Sequence, residues 1–142
     1  MISTEKRIVK VLVVEDSRAI AEFLADVLQS DPQIRVVATA SDGDQALAAA
    51  QRVKPDVITM DIHMPRVNGF EATRSIMEKC PTPVVIVSGS SNPDAVANNF
   101  HALEAGALAV VARPNGIGHP RHEATCRAVL FFAMPKYGSP SS

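Results

Sequence analysis

The apolar runs of this 142-residue sequence are short, and the longest, such as Ile8–Val14 and Val84–Val87, are of strand length. None approaches the ~20 residues that a membrane-spanning helix needs. The N-terminus, Met-Ile-Ser-Thr-Glu-Lys-Arg, has no apolar stretch followed by a cleavage site, so no signal peptide is expected. Neither sign of charge dominates: 14 basic residues face 15 acidic ones. No cluster of Lys and Arg marks a nucleic-acid footprint. The two cysteines, Cys80 and Cys126, lack metal-type spacing. They read as reduced thiols of a cytoplasmic chain rather than as a disulfide. The expectations are one domain with a single core, no membrane and no nucleic-acid partner.

What the sequence does contain is an alternation of strand-like and helix-like stretches. Ile8–Val14 reads as a buried first strand that stops at Glu15-Asp16. Ile20, Phe23, Leu24, Val27 and Leu28 then recur at three- and four-residue steps, giving one apolar helical face. Asp31-Pro32 ends that helix. Ile34–Ala40 is a second strand, and Asp42-Gly43-Asp44 opens a helix carrying Ala46, Leu47, Ala50 and Val53. Asp56–Met60 is a third strand ending at Asp61. Asn68 and Glu71 form a capping-box-like pair for a helix whose inner face is Phe70, Ile76 and Met77. Pro83–Val87 is a fourth strand ending at Ser88. Asn92-Pro93 starts a helix with Val96, Phe100 and Leu103 on its core face, and Gly106 ends it. Leu108–Ala112 is a fifth strand ending at Arg113-Pro114, and a last helix is expected from about Pro120 to Phe132. The residues from 133 on are expected to be a disordered tail, rich in Pro, Gly and Ser. Five nearly continuous apolar strands alternating with helices imply a parallel α/β sheet covered on both faces.

In such a sheet the carboxyl ends of the strands are the ligand edge. Glu15, Asp16, Asp61, Ser88 and Arg113 all fall there. Three clustered carboxylates raise one another's pKa, and a hard divalent cation removes that cost. Magnesium suits the site because it accepts one or two carboxylates and retains waters and phosphate oxygens. A carboxylate is also a competent nucleophile toward phosphorus. Ser88 and Arg113 could each contact a phosphoryl oxygen.

These residues resemble the response-regulator receiver domain of two-component signalling, over residues 7 to 132. Asp61-Ile62-His63-Met64-Pro65-Arg66-Val67-Asn68-Gly69 is similar to the family's phosphoacceptor loop, Asp-x-x-Met-Pro-x-x-x-Gly. Glu15-Asp16, Ser88 and Arg113-Pro114 fall in the family's order. The resemblance implies a flavodoxin-like (βα)5 fold with strand order 2-1-3-4-5. It implies that Asp61 accepts a phosphoryl group from a histidine kinase, and that Asp16 and Asp61 ligate magnesium. Glu15 would act through water or help hold the metal, the backbone carbonyl of His63 would be a further ligand, and Ser88 would be the switch hydroxyl.

The chain departs from the family at two positions. Arg113 stands where the family has lysine, and an arginine fork does not replace a compact ammonium. Val110 stands where many receivers place a Tyr or Phe. A narrower resemblance, carried by Ser88-Gly89-Ser90-Ser91 and Ala102-Leu103-Glu104-Ala105-Gly106-Ala107, points to the receivers of chemotaxis-type protein-glutamate methylesterases. No Gly-x-Ser-x-Gly elbow occurs, so the chain itself is not expected to be an enzyme. Its partners would be the kinase and a methylesterase effector domain. A homodimer could form through the face of helix four, strand five and helix five, with Val110, Phe100, Phe131 and Phe132. Competing readings are an interaction module indifferent to phosphorylation, an aspartyl phosphohydrolase and a flavin carrier. His63 occupies the position where a phosphohydrolase needs its second Asp, and Glu15-Asp16 would repel a flavin phosphate. His119 and His122 read as surface histidines rather than a metal pair.

Overall fold

The structure is a computed structural model and describes residues 8–62, 64, 67–88, 101–112 and 120–133. Its strands are β1 (Val9–Val14), β2 (Ile34–Ala40), β3 (Val57–Met60), β4 (Val84–Ser88) and β5 (Ala109–Ala112). Its helices are α1 (Arg18–Gln29), α2 (Gly43–Val53), α3 (Gly69–Lys79), α4 (helical at 101–105) and α5 (Pro120–Ala133). The start expected for α4 at Asn92-Pro93, with Val96 and Phe100, lies outside the described residues, as do 134–142.

All strand pairs are parallel, and the order is β2-β1-β3-β4-β5. Side-chain alternation along each strand splits the core into two layers. Leu12, Val14, Ile58, Met60, Val84 and Ile86 pack against α2, α3 and Ala102 of α4. Val9, Val11, Val13, Val57, Val85 and Val87 pack against α1 and α5 on the other face. Cys80 belongs to the first layer and Cys126 to the second, so the sheet separates the two thiols. Cys126 instead donates from its thiol to the Val27 carbonyl at 3.4 Å, tying α5 to α1. Truncating a fully buried strand residue such as Ile58 to alanine would cost ~2–5 kcal/mol.

The helix starts are set by short polar side chains. The Ser17 hydroxyl accepts from the Ile20 amide at 3.3 Å, Asp42 from Gln45 at 2.8 Å, and Asn68 from Glu71 at 2.9 Å. Only that half of the expected Asn68–Glu71 capping box forms among the described residues. Helix α1 stops at Gln29, with Ser30 as its cap, two residues before the Pro32 that would in any case have barred it. Lys54 closes α2 in the left-handed region at φ 49°.

Some expected core residues are less buried than their spacing suggests. Ile8 and Leu108 lie just outside β1 and β5 and are exposed. Phe70 and Met77 are half-buried, while the small residues Ala72 and Thr73 occupy the closely packed inner face of α3. The Thr73 hydroxyl donates back to the Gly69 carbonyl at 2.7 Å, which lets a polar residue sit fully buried in a helix.

Candidate metal centre

Three strand ends meet at one edge of the sheet. The Glu15 amide donates to the Ala40 carbonyl at 2.9 Å, and the Asp61 amide to the Val14 carbonyl at 3.0 Å. These bonds carry the ladder one residue past the strands and fix both backbones. Glu15, Asp16 and Asp61 each place a carboxylate oxygen within 4.8 Å of the others. Asp16 is exposed, but Glu15 and Asp61 are only 4% and 8% exposed.

Burial is the main reason why the Glu15 carboxyl is pushed up from its ordinary value of 4.5 to about 7. The nearby charges of Asp61 and Asp16 add to that rise, and a hydrogen bond from the Ser17 amide, at 3.1 Å to Glu15 Oε2, opposes it. A buried, mutually repelling set of carboxylate oxygens that nonetheless converges on one point is the donor set of a hard divalent cation. These residues therefore fit such an ion on their own chemistry.

Gly69, at the start of α3, lies against the backbone of Asp61 and Ile62. A Cβ there would fall on the Asp61 carbonyl oxygen and close to the Ile62 Cα. The Gly69 amide donates to the Ile62 carbonyl at 2.9 Å, so the first turn of α3 rests directly on the backbone of Asp61. Glycine is needed here for close backbone approach.

Of the residues expected at the site, the structure brings Glu15, Asp16 and Asp61 together. Ser88 is the last residue of β4, next to β3 in the sheet and paired with Ala112. His63 and Arg113 lie outside the described residues, as does His119. Val110 sits in β5 opposite Ile86 and packs against the α2–α3 layer. Two contributors were not singled out in the sequence. Ser17 both caps α1 and holds Glu15, and it carries a recognisable signal, a hydroxyl residue just before an apolar-periodic run. Gly69 was legible only as a motif letter, because its role depends on how near Asp61 comes.

Comparison with known proteins agrees with this geometry. The family described as the response regulator receiver domain matches residues 11–120. A protein-glutamate methylesterase/protein-glutamine glutaminase of Nitrosospira multiformis is 60% identical over 122 residues, covering 86% of this chain and 34% of that protein. A second protein of that description, from Geobacter metallireducens, is 52% identical over 122 residues, covering 86% of this chain and 35% of its own length. This chain thus spans about a third of the length of these curated relatives. Among solved structures, the response regulator domain of Thermotoga maritima CheB superposes with a TM-score of 0.73 at 38% identity, covering 89% of this chain and 94% of that one. The expected fold and strand order are borne out, and so is the narrower likeness to methylesterase receivers. The chain belongs to the response regulator receiver domain family.

Proposed function

We propose that this chain is a phosphorylation-controlled switch in which Asp61 accepts a phosphoryl group from a histidine kinase, with magnesium held by Glu15, Asp16 and Asp61. The observation that carries this reading is the convergence of three carboxylates, two of them buried, at the ends of β1 and β3. When bound, the ion supplies positive charge that offsets the carboxylates and the phosphoryl oxygens. An Asp61 carboxylate oxygen forms the new bond to phosphorus as the bond from phosphorus to the donor imidazole nitrogen breaks. The nitrogen leaves with that electron pair, and the product is an aspartyl phosphate. The Ser17 amide keeps Glu15 oriented toward Asp61. Ser88, at the end of the neighbouring strand, would donate to a phosphoryl oxygen, and Arg113 would pair with another. The backbone carbonyl of His63 would complete the ion's protein ligands.

The names of the relatives support a protein-glutamate methylesterase output, and the receiver's resemblance to the chemotaxis type supports a role in that signalling. Phosphorylation of Asp61 would regulate a methylesterase, either attached or as a partner. Leu103 of α4 and Phe131 of α5 are exposed apolar side chains on the helices flanking edge strand β5. They support pairing of two copies through this face.

Phosphoramidate, whose phosphorus–nitrogen bond mimics phosphohistidine, tests the reading. With magnesium it should add one phosphoryl mass to the chain, and none to the D61N variant or in the presence of a chelator. Equal addition to D61N would remove Asp61 from its proposed role.

A further inference from the structure

A concavity of about 350 Å³ lies between α2 and α3. We propose that it is a docking groove for a partner protein segment that presents one arginine or lysine between apolar residues. The proposal is independent of phosphorylation at Asp61.

The walls and rim differ in chemistry. Leu47 of α2 and Val67 of the loop after Asp61 are half-buried and give an apolar lining. Asp44, Glu71, Arg74 and Glu78 stand exposed around it. Three carboxylates against one guanidinium leave an excess of two negative charges. Arg74 lies three residues after Glu71 and four before Glu78, the spacings at which a helix pairs opposite charges. Yet among the described residues none of these four side chains makes an ion pair; the pairs that form are Arg18–Glu22 and His101–Glu104. Among the described residues, then, no ion pair compensates the charge of this rim.

One end of the groove is closed by contact. A Cβ on Gly43 would lie 2.6 Å from Val67 Cγ1, so the first turn of α2 and the loop carrying Val67 already touch. Val67 thus closes the groove at the start of α2. A side chain with an apolar stem and a cationic head matches both parts: the stem lies along Leu47 and Val67 while the head reaches the rim. The excess negative charge opposes acidic peptides and nucleic acid.

The test uses the whole chain, isotopically labelled, followed by amide chemical shifts. The probes are two amidated peptides, Gly-Leu-Arg-Leu-Gly and its counterpart Gly-Leu-Glu-Leu-Gly. The arginine peptide should give saturable shifts at 43–47 and 67–78, below about 10 mM as expected for one small contact. E71Q and E78Q, both at exposed positions, should each weaken binding by up to about fivefold, and R74Q should strengthen it by a similar factor. The same spectra report whether each variant is folded. Shifts confined to Glu15, Asp16 and Asp61, an equal response to the glutamate peptide, or no saturation would overturn the proposal. Peptide-free shifts at these residues that grow with protein concentration would assign the groove to a second copy of the chain, and would also overturn it.

Discussion

Gly69 meets Asp61 backbone to backbone, with no room for a methyl group between residue 69 and the Asp61 carbonyl oxygen. The contact links the start of α3 to the residue at the centre of the acidic edge. Substituting alanine forces one of the two to move. G69A is expected to lose about 2–4 kcal/mol of stability, in the range of strongly strained single substitutions. Urea unfolding checks this. A change within 0.5 kcal/mol or so, the range of neutral surface substitutions, would show that the loop yields freely.

The buried carboxyl of Glu15 makes a sign-specific prediction about pH. Its folded pKa of about 7 lies above its ordinary value of 4.5, so the folded state holds the proton more tightly than the unfolded state does. Its contribution is fully present below about pH 4.5 and is lost as pH rises toward 7, then stays flat. Without divalent ions, the loss attributable to Glu15 is at most on the order of 3 kcal/mol. E15Q should remove this component, and the difference between wild type and E15Q in urea midpoints from pH 5 to pH 8 isolates it. A difference that does not change over that range would contradict the burial-driven shift.

Magnesium should offset part of that loss, because an ion that binds the deprotonated carboxylates stabilises the folded chain only. At ten times its dissociation constant the gain is about 1.4 kcal/mol. It should fall sharply in E15Q and in D61N. Thermal unfolding with and without magnesium measures this, and an undiminished gain in both variants would place the ion elsewhere.

Thr59 supplies a prediction about the core beneath the site. It lies in β3 two residues before Asp61, between Val13 and Val85, and is 2% exposed. Its hydroxyl has no hydrogen-bond partner among the described residues. An unsatisfied buried hydroxyl is costly, so T59V, which keeps the shape, should raise stability by up to about 1 kcal/mol. A loss of that size would mean that the hydroxyl is satisfied in solution.

Much of this arrangement was readable in the chain itself, for identifiable reasons. The bounds of β2 at Ile34 and Ala40 are legible because Pro32-Gln33 and Ser41-Asp42 flank a stretch rich in β-branched and small apolar residues. Glu15, Asp16 and Asp61 could be placed together because each follows an apolar strand and parallel strands end at one edge. Ile8 and Leu108 were harder, since an apolar residue just outside a ladder looks like its first member. Phe70 and Met77 do pack against the core but remain half-buried, because the tight approach of α3 to the sheet gives the fully buried positions to Ala72, Thr73 and Ile76. The Gly69–Asp61 contact and the Thr59 hydroxyl, without a partner among the described residues, depend on distances across the fold, which spacing along a sequence does not encode.

A phosphoryl group on Asp61 would be an acyl phosphate, whose chemistry offers a direct test. After treatment with acetyl phosphate and magnesium, borohydride reduces an aspartyl phosphate, but not a free carboxylate, to homoserine. Peptide mass analysis then locates the change. Reduction is expected at residue 61, dependent on magnesium and absent in D61N. Reduction at another residue, or none in protein shown to be folded and magnesium-bound, would contradict it.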